Sequence, residues 1–175
     1  MDKRFPIGQL EIPEHITQQH VREWVADIQT YVQDLKKAVT NLSERELQST
    51  YREGSFTVAQ LVHHIADSQL NLYQRLKLAL TDDHPNVAEF KQDAWVTLAD
   101  GQLPIDVAIQ LLDALNQRVS AIGQHLSAAQ LERGFELEGS GTITVGETIA
   151  KLRWHERHHL AHIQCALGQF IPESE

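Results

Sequence analysis

Cysteine is almost missing from this chain of 175 residues: Cys165 is the only one, so no internal disulfide and no cysteine-based zinc knuckle can form. That usage suits a reducing, cytoplasmic setting. Aromatic residues are sparse at 6%, and Pro (5) and Gly (9) are too few for a collagen-like or linker-rich chain. No apolar run approaches the roughly 20 residues that span a bilayer. The opening MDKRFPIGQLEIP has no apolar h-region, so no secretory leader is expected. Net positive charge is lacking too. A formal charge of −9 argues against a nucleic-acid partner, which needs a basic face, and against docking on anionic membrane lipid. What remains is ordinary for one globular domain: 42% apolar and 22% charged residues, enough to bury a continuous core.

Long helical patterns separated by capping signals dominate what is present. Pro13 opens a run to about Asn41 in which Val21, Trp24, Val25, Ile28, Tyr31, Val32 and Leu35 recur at spacings of three and four. Ser43 with Glu46 is an S-x-x-E capping box for a short helix. Thr57 with Gln60 is a second box, beginning a helix to about Leu80 that stops before Asp82-Asp83-His84-Pro85. Residues 86–103 read as an irregular connection carrying Phe90 and Trp95. Pro104 opens a third long helix to about Leu126, and Ser127–Glu132 is one more helical turn. Gly139 and Gly141 mark a loop or small hairpin within 134–144. Thr144 with Glu147 starts the last helix, which Gly168 ends. The expected fold is therefore all-α, a four-helix bundle with short satellite helices, as one domain over residues 1–175.

Bundles of this kind build metal sites from side chains on facing helices. Of the 10 histidines, six lie in HHIADS (His63–Ser68) and WHERHHLAH (Trp154–His162), both inside predicted long helices. A solvated helix face would not call for four histidines within eight residues, because histidine is a mediocre helix former. In the last helix, spacing offers His155 with His159, His158 with His162, and His159 with His162, and does not choose between them. His64 shares a stripe with Asp67, Ser68, Asn71 and Arg75, and could supply a third ligand from the other helix. Such a stripe is more often simply a solvated face. H-E-x-x-H is formally present at His155–His159, the pattern of zinc peptidases. A small helical domain expected to lack a strand for aligning a peptide makes that reading a poor one, and Glu156 falls on a different face from His158 and His162. Cys165 reads as core and the three tryptophans as packing residues.

TVAQLVHHIADSQLNLYQRLKLAL (Thr57–Leu80) followed by WHERHHLAHI (Trp154–Ile163) resembles the DinB/YfiT-like superfamily, in particular its YfiT group, described as metal-dependent hydrolases and bacillithiol transferases. FPIGQLEIP and YREGSFT are similar to that group as well. The resemblance implies a four-helix bundle binding one divalent ion, zinc or nickel, often as a homodimer. It implies metal ligands at the histidine of the H-apolar-A-D-S element and at two histidines four apart in the last helix, which fall on His64, His158 and His162. His63, His155 and His159 are left without a role. Three neutral imidazoles leave a coordination position open, as catalytic sites do. The expected chemistry is then transfer of a low-molecular-weight thiol to a small-molecule electrophile, with metal-assisted hydrolysis or a non-enzymatic metal-binding module as alternatives. Asp67, Asn71 and Arg75 are the candidates for orienting substrate.

Overall fold

In the computed structural model, which describes residues 2–170, four long helices carry the domain: α1 (Gln18–Val39), α3 (Val58–Thr81), α5 (Ile105–Gly123) and α7 (Val145–Ala166). Single-turn helices α2 (Glu44–Leu47), α4 (Gln92–Trp95) and α6 (Ala128–Leu131) sit in the connections, with a 3₁₀ turn at Ala99–Gln102. The capping boxes expected at Ser43, Thr57 and Thr144 are all formed: each side chain accepts from the backbone N–H three residues on, while the Glu or Gln there accepts from the cap's own N–H. Ser127 with Gln130 makes a fourth. Gly168 stops α7 at φ +67°, a conformation only glycine adopts freely.

The first helix starts later than Pro13 suggests. Thr17 caps it, and His20 at the third position returns the bond from its Nδ1, so a capping box is closed by an imidazole in place of the usual Glu or Gln. Residues 2–16 form no helix and lie as an N-terminal arm.

A three-stranded sheet joins the connection read as irregular to the segment read as a loop or small hairpin. Strand β2 (Gly134–Leu137) pairs antiparallel with β3 (Gly141–Thr144) through a hairpin whose Gly139 and Gly141 have positive φ, and it pairs parallel with β1 (Asn86–Val87). The hairpin was foreseen. The parallel partner, some fifty residues upstream, has only two residues and leaves no alternation to read.

Each long helix packs chiefly on two others: α3 on α5 and α7, and α1 on α5 and α7. Helices α1 and α3, consecutive among the long ones, therefore stand at opposite corners. Gly123 allows the close approach of α5 to α1, since a Cβ there would collide with the Val25 side chain. This order puts the HHIADS segment of α3 directly beside the WHERHHLAH segment of α7.

The core is divided. One apolar cluster joins Tyr31, Leu35, Leu61, Ile65, Leu112 and Ile163; the other joins Val25, Ile28, Leu76, Val119, Ile149 and Leu152. Between them Asn116 of α5 forms a buried polar layer. Its Nδ2 donates to the Ile28 carbonyl at 3.1 Å and to Glu156 Oε1 at 2.6 Å, and its Oδ1 accepts from Gln69 Nε2 at 2.7 Å. Gln69, Asn116 and Glu156 are at most 2% exposed, so every long helix contributes to a hydrogen-bonded plane across the bundle.

Candidate metal centre

The core face of α7 is set by Ile149, Leu152, Glu156, Leu160 and Ile163. At about 100° per residue, His155 and His159 stand roughly 60–100° to one side of that stripe, and Arg153 and Arg157 a similar angle to the other. The neighbours of α7 decide what each side meets. On the α1 side Arg153 Nε donates to Asp27 Oδ2 at 2.6 Å and Arg157 Nη1 to Asp34 Oδ2 at 2.9 Å. On the α3 side His155 and His159 meet His64.

The three rings converge. Nε2 of His64 lies 3.2 Å from Nε2 of His155 and 3.2 Å from Nε2 of His159. His64 stands edge-on to both rings, with centroids 5.0 Å and 4.7 Å away. Two imidazole nitrogens each 2.0–2.1 Å from one tetrahedral zinc-sized ion stand about 3.3–3.4 Å apart. The spacing of the lone-pair atoms thus matches two edges of such a coordination sphere, and the residues present fit a divalent metal.

Burial prepares the rings for that task. His64 is 2% exposed and His155 6%. Burial pulls the His64 pKa down to about 4, and holds His155 and His159 well below the ordinary histidine value, with the neighbouring imidazoles adding to the effect. All three are therefore neutral at pH 7 and able to offer a lone pair. The Nδ1 atoms of His64 and His155 are buried and have no hydrogen-bond partner among the described residues. Aromatic residues wall the site: Phe56 and Phe90 lie 5.4 and 6.1 Å from the His64 ring, and Trp95 stands edge-on to Phe90 at 5.0 Å.

His158 and His162 are placed otherwise. Neither shares a ring contact or hydrogen bond with His64 among the described residues. They lie roughly 120–160° around α7 from the core stripe. Both are nonetheless buried. Phe5 of the N-terminal arm packs on His158 at 5.9 Å, Trp154 stacks on its other neighbour face at 4.3 Å, and Tyr51 stacks on His162 at 3.9 Å. With His159 they form a second close group of ligand atoms. The geometry thus brings His64 together with His155 and His159, and sets His158 and His162, the pair expected from the resemblance, in the second group. A signal for this was available: phasing α7 on Ile149, Leu152 and Ile163 puts His155 and His159 nearer the core than His158 and His162.

The other candidates separate as well. His63 turns away, its Nε2 donating to the Leu103 carbonyl at 2.9 Å. Arg75 is buried, donating to the Ala88 carbonyl at 3.0 Å with its guanidinium over the Phe135 ring. Asn71 keeps a buried Oδ1 without a partner. The Asp67 carboxyl is pushed above its ordinary value by burial, then by Asp100. Cys165 belongs to neither group of ligand atoms. Glu156, the glutamate of the H-E-x-x-H pattern, faces the bundle interior and accepts from Asn116, away from its two histidines. A groove of ≈ 1140 Å³ runs under the arm along α1 and α7, and none of the three converging histidines lines it.

The model of the DinB superfamily matches residues 28–163, which spans most of α1 and all of α3, α5 and the histidine-bearing part of α7. The chain belongs to the DinB superfamily. Similar proteins include one of Oceanobacillus iheyensis, 50% identical over 96% of this chain and 97% of its own, and one of Halalkalibacterium halodurans, 42% identical over 95% and 98%. Both are provisionally named metal-dependent hydrolases. Among solved structures, YfiT from Bacillus subtilis superposes with a TM-score of 0.90 at 31% identity, covering 97% of this chain and 100% of that one. It is described as a probable metal-dependent hydrolase with an unusual four-helix bundle topology.

Proposed function

We propose that this protein is a metal-dependent enzyme that holds one divalent ion, zinc or nickel, through His64, His155 and His159. The observation that carries the reading is the approach of His64 Nε2 to 3.2 Å from Nε2 of both His155 and His159, residues more than ninety positions away on another helix. Relatives across the whole chain named for metal dependence support it. When bound, the ion supplies a Lewis acid that lowers the pKa of a coordinated nucleophile.

The protein's own residues then favour one nucleophile. Among the described residues no carboxylate shares the three-histidine group, and Glu156, the base that an H-E-x-x-H site would use, is engaged by Asn116. Water, whose ordinary pKa is far higher than that of a thiol, is the harder nucleophile to prepare. A thiol, with an ordinary pKa of about 8.5, needs far less help. The walls of Phe56 and Phe90 exclude solvent and suit an apolar electrophile. Asn71, with its unpartnered Oδ1, and Asp67 are the remaining polar groups of the stripe for orienting substrate. The finer reading is therefore transfer of a low-molecular-weight thiol to an electrophilic small molecule. Hydrolysis is the second reading, favoured by the names of the relatives.

Protein loaded with zinc or nickel, incubated with a small thiol and a chromogenic electrophile, separates the two. The expected result is conjugation that requires both ion and thiol. Thiol-independent cleavage of an ester or amide would establish the hydrolase, and neither activity would leave a binding module.

A further inference from the structure

His159 uses both of its ring nitrogens, and they face different ways. Its Nε2 points to the convergence with His64, and its Nδ1 lies 3.2 Å from Nδ1 of His162. The far nitrogen of His162, Nε2, lies 3.3 Å from the carbonyl oxygen of Arg4 in the N-terminal arm. Tyr51 stacks nearly parallel on the His162 ring, 7° between planes, so that ring is held in orientation from a third direction.

These contacts permit one arrangement of protons. A carbonyl oxygen can only accept, so Nε2 of His162 carries the hydrogen. A neutral imidazole has a single N–H, which leaves Nδ1 of His162 as a lone pair. Nδ1 of His159 must then donate, and the lone pair of His159 is left on Nε2, facing His64 and His155. We propose that His162 is a positioning residue: by accepting from His159 Nδ1–H while donating to the Arg4 carbonyl, it fixes His159 in the tautomer that can bind the ion. Without that acceptor, the His159 ring is free to put its proton on Nε2, where it blocks coordination. His159 is the one ring of the three given such an anchor, since Nδ1 of His64 and of His155 have no partner among the described residues. Metal-ligating histidines ordinarily have their second nitrogen held in this way, commonly by a carboxylate or carbonyl. Here a second histidine, itself polarised by the backbone of the arm, takes that place.

The inference rests on the assignment of His64, His155 and His159 as ligands, and its test separates the two claims. Long-range ¹H–¹⁵N correlation on labelled, metal-free protein at pH 8 reads the tautomer of His159, and zinc titration against a chromophoric chelator reads affinity and stoichiometry. The wild type should show His159 protonated on Nδ1 and bind one ion per chain. His162→Ala should lose that tautomer preference and bind zinc about 10- to 100-fold more weakly. His162→Asn, whose amide oxygen can occupy the place of Nδ1, should recover most of the affinity. An Nε2–H tautomer of His159 in the wild type overturns the inference, whether or not the variants fold. So does full affinity in His162→Ala. Two ions per chain, falling to one in His162→Ala, would make His162 a ligand of a second site with His158 and His159 and also overturn it. His159→Ala tells the claims apart: an ion retained there defeats the ligand assignment itself, whereas an ion lost there but fully kept in His162→Ala defeats only the positioning role.

Discussion

Two neighbouring residues of α7 show how differently a buried polar group can be used. Glu156 faces the bundle axis, where Asn116 donates to it, and it completes the polar plane between two apolar clusters. His155, one residue earlier, is also buried, yet its Nδ1 has no partner among the described residues and its Nε2 stands 3.2 Å from Nε2 of His64. Burial is common to both, and satisfaction is what differs. A satisfied buried group specifies how helices register against each other, whereas buried ring nitrogens that converge on one point suit a cation between them.

The sharpest break of that comparison is by substitution of either kind. His64→Ala, His155→Ala and His159→Ala are each expected to abolish stoichiometric metal, measured by elemental analysis of purified protein. His158→Ala and Glu156→Gln are expected to keep one ion per chain. Metal lost from His158→Ala but retained in His155→Ala would reverse the assignment.

A smaller effect should mark the polar plane. Asn116→Ala leaves Gln69 and Glu156 buried without their partner, and is expected to lower stability by about 3 kcal/mol in urea unfolding, given 1–3 kcal/mol for each buried group left unsatisfied. Glu156→Gln preserves the acceptor and removes an acid whose pKa burial raises well above its usual value. It should be neutral or stabilising at pH 7. Equal losses from both substitutions would show the plane to depend on charge rather than on hydrogen bonding.

Acid sharpens the comparison further. The His64 pKa is lowered in the fold to about 4, from an ordinary 6.5, so the unfolded chain takes up its proton first. Its stabilising contribution is complete above about pH 6.5 and lost as pH falls towards 4. Metal-free protein should thus lose roughly 2 kcal/mol from His64 alone between pH 7 and pH 5. Glu156 has the opposite sign: a raised carboxyl pKa weakens the fold as pH rises above the ordinary glutamate value. A thermal midpoint of the metal-free protein that does not fall between pH 7 and pH 5 would contradict the burial of the histidines as a neutral cluster.

Much of this architecture was legible because local signals dominate it. The boxes at Ser43, Thr57 and Thr144 place three helix starts to the residue, and the glycines at 139 and 141 announce the hairpin. The start of α1 was misplaced because the cap partner of Thr17 is a histidine rather than an acid or amide. Strand β1 was invisible because its pairing is non-local and only two residues long. The site was half legible. His64 and the histidine-rich turn of α7 stand out by composition, but choosing among i, i+4 pairs requires knowing which helix flanks α7 on which side, and that is decided by the packing order of four helices. The burial of His158 and His162 depends on the N-terminal arm, whose course no periodicity encodes.

That arm carries a lesson about where this protein can be cut. A fragment beginning at α1 would keep the four long helices but would lose the Thr17 cap and Ile16, which packs on the second apolar cluster. It would be without the Arg4 carbonyl that receives the His162 proton and without the Phe5 ring that shields His158. Residues 2–16 have no helix or strand of their own, yet they close the outer side of the histidine-rich turn.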